Sequence, residues 1–271
     1  MNHVQGKVVV ITGAGSGFGK RTAEKLAGMG ARIILADVNQ ESVKAAAEGI
    51  RSDGGTAEFI VTDVSVMEQV EQMARFAVST FGRIDVLVNN AGIMPHSLFA
   101  SKRIDAWDRC IDINLKGPIY GITAVLDTMS EQGYGHIVNV SSVYATATHA
   151  GAGVYSATKA GLQMISNALR AETRGKIKVS TIFPSGAATN LSSTIIDMVV
   201  AGDYFGKHLP ELMEQIARNP AAAFAPDMED PKAMMLSADA IADAIVYCIN
   251  QPKGITISDI LVRTTNEAML Y

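Results

Sequence analysis

The stretch Lys7-Val-Val-Val-Ile-Thr-Gly-Ala-Gly-Ser-Gly-Phe-Gly19 decides the fold. Residues 7–12 are a short β-branched run, and residues 17–29 then set Phe18, Thr22 and Leu26 at helical spacing, so the stretch reads strand, glycine-rich turn, helix. Glycines at such a turn let the backbone bend tightly and approach a pyrophosphate. The charge of that group is met by free N–H groups and by the positive end of the helix. A turn with a purely structural role is the competing reading; the strand before it and the helix after it favour nucleotide binding.

Outward from this unit the same alternation continues. Strands are expected at residues 32–36, 57–62, 84–88, 136–140 and 176–183, and helices at 40–52, 66–81, 104–129 and 155–173. Strands joined by helices must cross over their sheet and therefore run parallel. The expected class is α/β, a Rossmann-type doubly wound parallel sheet. Over 190–235 the rhythm stops and scattered Met, Leu, Ile and Pro suggest a substrate lid of short helices and loops. A helix at 238–250 and a strand at 255–262 follow. With no repeat and no low-complexity tract, residues 1–271 are expected to form a single domain.

Composition narrows the function. The chain is 48% apolar and 18% charged with 24 glycines and 8 prolines, which suits a large packed core. A net charge of −4 without a Lys/Arg cluster removes the footprint of a nucleic-acid binder. Two cysteines, Cys110 and Cys248, make no disulfide framework and have no metal-ligand spacing. Residues 8–11 are too short for a signal peptide, and no run of 18 apolar residues occurs. The expectation is a cytoplasmic protein acting on small molecules, with no metal and no membrane partner.

Three features carry chemistry. Asp37 ends the second strand, where a carboxylate can accept hydrogen bonds from adenosine ribose hydroxyls; neither Ser16 nor Val38 beside it is basic, which favours NAD over NADP. Tyr155 and Lys159 stand four apart, hence one turn apart on one helix face, and a cation beside a phenol favours the phenolate. Ser142 supplies a hydroxyl that can share an oxygen with the phenol and stabilise an alkoxide. Its rival Ser141 would point the opposite way along a strand.

In order and at matching intervals, TGAGSGFG at 12–19, Asn89-Asn-Ala-Gly92, Ser142 and Tyr155-x-x-x-Lys159 resemble the short-chain dehydrogenase/reductase family. The likeness runs from Lys7 to Thr189 by motif and beyond by length. It implies seven strands, a nicotinamide cofactor and reversible hydride transfer between an alcohol and a carbonyl. Carried over residue by residue, it makes Tyr155 the general acid/base, Lys159 its neighbour and a ligand of the nicotinamide ribose, and Ser142 a partner of the substrate oxygen. Asn114 would hold a water through its main-chain carbonyl. Pro118, four residues on, has no N–H to give that carbonyl, which adds a physical reason. The cofactor contacts implied are Gly13, Ser16, Gly17, Phe18, Gly19, Asp37, Asp63, Val64, Asn90, Ala91, Gly92, Pro184, Ala187 and Thr189. Ser185 departs from the family's usual Gly. A homotetramer is implied as well.

Met94, His96, Tyr144, His149 and Ser185, with Ser142, are the candidates for the substrate pocket because they flank motifs at the sheet's carboxyl edge. His208 reads as surface or pocket lining. The apolar lid suggests a hydrophobic or cyclic alcohol or ketone. Alternatives are an NADP-dependent carbonyl reductase, a dinucleotide-sensing protein without turnover, and a nucleotide-sugar epimerase or dehydratase, for whose larger substrate domain little chain remains. Replacing Asp37 by Ser together with Val38 by Arg is expected to move the preference, measured as the ratio of kcat/KM for the two cofactors, from NAD toward NADP; an unchanged ratio refutes the role given to Asp37.

Overall fold

The computed structural model describes residues 1–197, 210, 213, 214, 217 and 226–266. Its strands are β1 Val8–Thr12, β2 Arg32–Asp37, β3 Thr56–Val61, β4 Val86–Asn89, β5 Gly135–Val140, β6 Ile177–Pro184 and β7 Asp259–Val262. They pair in parallel in the order β3-β2-β1-β4-β5-β6-β7. The helices are α1 Gly17–Gly28, α2 Gln40–Ser52, α3 Met67–Phe81, α4 Ile104–Ile111, α5 Gly117–Glu131, α6 Gly153–Glu172 and α7 Ala238–Ile249.

Side chains alternate across a strand, and here the two sets feed two cores. Val9, Ile11, Ile33 and Leu35 pack with Leu26 of α1, Val43 and Ile50 of α2 and Ile245 of α7. Val10, Ile34, Leu87 and Val179 pack on the other side with Met73 of α3, Val125 of α5 and Leu169 of α6. The central strands β1, β4, β5 and β6 and most of β2 are buried on both faces, which is why they read as apolar runs, whereas the edge strands β3 and β7 are partly exposed.

Two elements differ from the pattern read in the sequence. The long helix expected over 104–129 is interrupted by a π-helical turn, Asp112–Lys116, in which the Gly117 N–H donates to the Asp112 carbonyl five residues back. Pro118 follows at once, and its missing N–H makes this the place where the regular ladder must change. The last strand is shorter than 255–262, because only residues 259–262 reach the ladder of β6. Of the expected lid, Asn190–Thr194 forms a 3-10 turn, while His208 and most of residues 198–225 lie outside the described residues.

A buried polar chain ties α6 to the middle of the sheet. The Asn89 Nδ2 donates to Asn139 Oδ1 at 2.8 Å, Asn139 Nδ2 to Ser166 Oγ at 2.9 Å, and Ser166 Oγ to the Leu162 carbonyl at 2.7 Å. Ser166→Ala strands the Asn139 amide, and an orphaned buried donor costs about 1–3 kcal/mol. The unfolding free energy from urea denaturation is expected to fall by that amount, seen as a lower midpoint at an unchanged slope; an unchanged midpoint would show that the Asn139 amide does not depend on Ser166.

Candidate active site

In the strand order the chain leaves β1 toward β2 on one side and returns as β4 on the other, so the loops after β1 and β4 face each other across a crevice. Sequence dictates how closely they meet. Gly13 has φ +63°, and a Cβ there would lie 2.9 Å from Ala91 Cα; a Cβ on Gly19 would collide with the Gly13 carbonyl. Thr12 and Asn90 sew the loops together. The Asn90 amide donates to the carbonyls of Thr12 at 2.9 Å and Gly13 at 3.1 Å, and the Thr12 hydroxyl accepts from the N–H groups of Asn90 and Ala91. The motif strings contained both residues, but only contacts across 78 residues reveal this stitching.

Helix α1 starts at Gly17 after an extended Ser16 whose side chain makes no capping hydrogen bond, and its first turn carries no acidic residue. The first-turn N–H groups thus have no side-chain acceptor from their own cap, which fits an anionic phosphate. Phe18 packs against the core, leaving its backbone for any ligand. Asp37 is aimed by two main-chain donors, Gly15 N–H to Oδ2 and Asn39 N–H to Oδ1, each at 2.9 Å, with exposed Val38 beside it. Asp63 accepts from the Ser65 N–H and hydroxyl, and Val64 packs where Gly117 has no Cβ. Thr189 lies 3.6 Å from where a Cβ on Gly17 would sit, so the segment after β6 covers the glycine loop. Ala187 bridges to Leu236. These residues fit a dinucleotide along the crevice.

At its inner end stand the proton-bearing groups. Tyr155 and Lys159 are both buried on α6, with Nζ 5.6 Å from the phenol ring centre. Ser142 stands near enough to the Tyr155 phenol to lower its pKa; its hydroxyl faces the Pro184 carbonyl at 3.5 Å and accepts from the Tyr144 N–H at 3.2 Å. Ser141 is turned instead to the backbone of α6, donating to the Lys159 carbonyl at 3.0 Å. The Asn114 side chain clasps Ile93, accepting from its N–H at 2.9 Å and donating to its carbonyl at 2.8 Å. A Cβ on Gly92 would lie 3.3 Å from Asn114 Oδ1 and 3.7 Å from Lys159 Nζ.

Electrostatics differ from the simple pairing expected. Burial is the largest influence on Tyr155 and holds its pKa above the usual phenol value; the neighbouring Ser142 hydroxyl pulls it back only in part. Burial likewise pushes the Lys159 ammonium down, from 10.5 to about 8. Desolvation dominates both shifts because each group lies buried away from water.

The candidate pocket residues converge on Tyr155. The His96 ring centre is 5.7 Å from that of Tyr155, and the Tyr144 ring centre 5.5 Å. The Tyr144 hydroxyl meets His149 Nε2 at 2.6 Å. The Met94 N–H donates to Thr194 Oγ1 at 2.7 Å, a tie across the site mouth that no local pattern announced. Ser185 is buried beside Pro184, its backbone N–H bound to the Val262 carbonyl.

The profile of the family described as short chain dehydrogenase matches residues 7–200. An uncharacterized oxidoreductase of Staphylococcus saprophyticus is 32% identical over 272 residues, covering 99% of this chain and all of its own length. Among solved structures, a short chain dehydrogenase/reductase from Burkholderia phymatum in complex with NAD is 26% identical, with TM-score 0.78 over 96% of this chain and 90% of its own. A metagenomic short-chain oxidoreductase in complex with NADP is 27% identical, with TM-score 0.75 over 97% of this chain and 99% of its own.

Because the folded pKa of Lys159 lies below its unfolded value, the folded state binds fewer protons between about 8 and 10.5, and the burial cost is fullest below that window. The shift corresponds to about 3 kcal/mol at about 1.4 kcal/mol per pH unit, less about 1 kcal/mol for the donor that the Val140 carbonyl would lose. Lys159→Met is therefore expected to stabilise the protein by about 2 kcal/mol at pH 7, in chemical denaturation, with the gain fading as pH rises from 8 to 10.5. A destabilised variant at pH 7 would refute this balance.

Proposed function

The chain belongs to the short chain dehydrogenase family, and from that premise we propose that it is an NAD(H)-dependent oxidoreductase interconverting a secondary alcohol and a ketone, with a hydrophobic or cyclic carbon frame. The observation that carries this reading is the convergence of Ser142, Tyr155 and Lys159, all three buried, at the end of the crevice, with Ser142 close enough to the phenol to lower its pKa. A bound nicotinamide would accept or supply the hydride.

The chain's own part is binding, orientation and proton management. The loop from Gly13 to Gly19 and the start of α1 hold the pyrophosphate; Asp37 takes the adenosine ribose; Asp63, Val64 and the Asn90-Ala91-Gly92 turn flank the adenine and the cofactor's middle; Pro184, Ala187 and Thr189 meet the carboxamide. Ser142 holds the substrate oxygen while Tyr155 takes or gives its proton. Lys159 steadies negative charge on the phenol, and the Asn114 carbonyl holds a water that links the site to solvent. The aimed carboxylate of Asp37, which would face a 2′-phosphate, supports NAD over NADP. The intact set of four residues supports turnover over mere dinucleotide sensing.

A cytoplasmic homotetramer completes the proposal, supported by exposed apolar side chains on the helices that the family packs between subunits, Ile104 on α4, Ile119 on α5 and Met164 on α6. The deciding measurement is nicotinamide absorbance with NAD or NADP and a panel of cyclic, aromatic, acyclic and steroid alcohols. NADH formation that Tyr155→Phe reduces by at least about 100-fold is expected. Equal rates in the variant would remove Tyr155 from the chemistry; NAD bound without turnover of any alcohol would favour the sensing protein.

A further inference from the structure

His96 is buried at 2% exposure, and neither of its ring nitrogens has a hydrogen-bond partner. Among the described residues it is the only side chain with two unpartnered buried polar atoms. Buried polar groups in native proteins are normally satisfied, so a doubly orphaned imidazole needs a reason. Packing alone does not provide one, since an apolar ring would fill the same space without the desolvation cost.

Main-chain hydrogen bonds fix the backbone around it. The His96 N–H donates to the Met94 carbonyl at 2.8 Å, its carbonyl accepts from the Asp197 N–H at 3.0 Å, and the next residue, Ser97, donates to the Gly151 carbonyl at 2.9 Å. The ring is edge-on to Tyr144, His149 and Tyr155, with centres 5.5, 5.1 and 5.7 Å away. Tyr144 and His149 already bond each other, and His149 Nδ1 is 2.7 Å from the Ala150 carbonyl. Burial and the neighbouring His149 push the His96 pKa down to about 4, so at neutral pH the ring is uncharged and offers one donor and one acceptor. A second orphan, the Ser185 hydroxyl, is buried next to Pro184, whose carbonyl faces Ser142.

We propose that His96 determines substrate specificity by hydrogen-bonding a second oxygen of the substrate, on a carbon adjacent to the one that is oxidised. The substrate class is then a vicinal diol or, in the reverse direction, an α-hydroxy ketone or diketone. This rests on the oxidoreductase reading: with the reacting oxygen on Ser142 and Tyr155, a ring centre 5.7 Å from the phenol ring puts the imidazole within reach of a neighbouring oxygen. A site built to hydrogen-bond a hydroxyl discriminates strongly against an analogue that lacks it.

The test uses full-length protein with ring-nitrogen-labelled histidine, loaded with NADH, and two probes, trans-cyclohexane-1,2-diol and cyclohexanol. The His96 nitrogen resonances are expected to move with the diol and not with cyclohexanol. In parallel, kcat/KM with NAD is expected to favour the diol by at least about tenfold. That ratio should fall toward one in His96→Phe and survive in part in His96→Gln. Resonances that ignore the diol, or a ratio unchanged in His96→Phe, would overturn the proposal, and the resonance measurement needs no variant to fold. Movement with the diol, together with no oxidation of it or of any alcohol in the panel, would uphold His96 as a ligand and overturn the oxidoreductase reading. Oxidation with static resonances would do the reverse.

Discussion

Two contacts made by one residue hold the site together. Lys159 sends its Nζ to the Val140 carbonyl at 3.0 Å and takes the Ser141 hydroxyl on its own carbonyl at 3.0 Å. Both partners lie at the end of β5, so α6 is pinned to the strand whose next residue is Ser142. The distance between Ser142 and Tyr155 is therefore not left to a loop. It follows from the register of helix on strand, reinforced one and two turns along by the chain Ser166, Asn139 and Asn89. A site on rigid elements is what orientation-dependent chemistry requires.

Burial of this pair has a chemical consequence. Each lone charge is penalised, which raises the phenol and lowers the ammonium. Phenol with neutral amine, and phenolate with ammonium, carry the same net charge. A low-dielectric site that resists either charge alone resists the matched pair far less, because the attraction between them grows as water is excluded. Below about pH 8 Lys159 is already an ammonium, so under the proposed reaction a phenolate at Tyr155 would form beside a cation that offsets its charge. Lys159 is costly to the fold for the same reason that it suits the reaction.

Much of this was legible in local sequence. Parallel strands buried on both faces read as the apolar runs at 8–11 and 33–36, and the glycine turn announced its helix. The interval to Tyr155 singled out Ser142 over Ser141 by resemblance; both serines lie just past the end of β5, where Ser141 turns to the Lys159 carbonyl and Ser142 to the Pro184 carbonyl. What local pattern could not carry was long-range closure: Thr12 to Asn90, Met94 to Thr194 and Asn114 to Ile93 are pairings 78, 100 and 21 residues apart. Nor could it weigh desolvation. The spacing of Tyr155 and Lys159 suggested attraction, whereas their depth, set by three separate elements, decides their pKa values. The π turn lies between these cases, since Pro118 marked a disturbance without saying which ladder would replace the regular one.

That turn also limits what Asn114 can do. Its amide is occupied on both ends by Ile93, with further contacts at 3.4 Å to Cys110 Sγ and Thr158 Oγ1. A side chain so engaged has little capacity left for a substrate or a water. It fixes the loop after β4, and through Gly92 it fixes the approach to Lys159. Any proton-relay role must then fall to the main-chain carbonyl, the atom from which Pro118 withholds its usual donor. Side chain and backbone are thus separate: the amide positions the loop by which the crevice is closed, while Pro118 withholds from the Asn114 carbonyl the donor of a regular helix. An Asp at this position would keep one of the two contacts to Ile93 and repel the other, so the clasp explains an amide here in terms of the loop it holds, apart from any part in proton transfer.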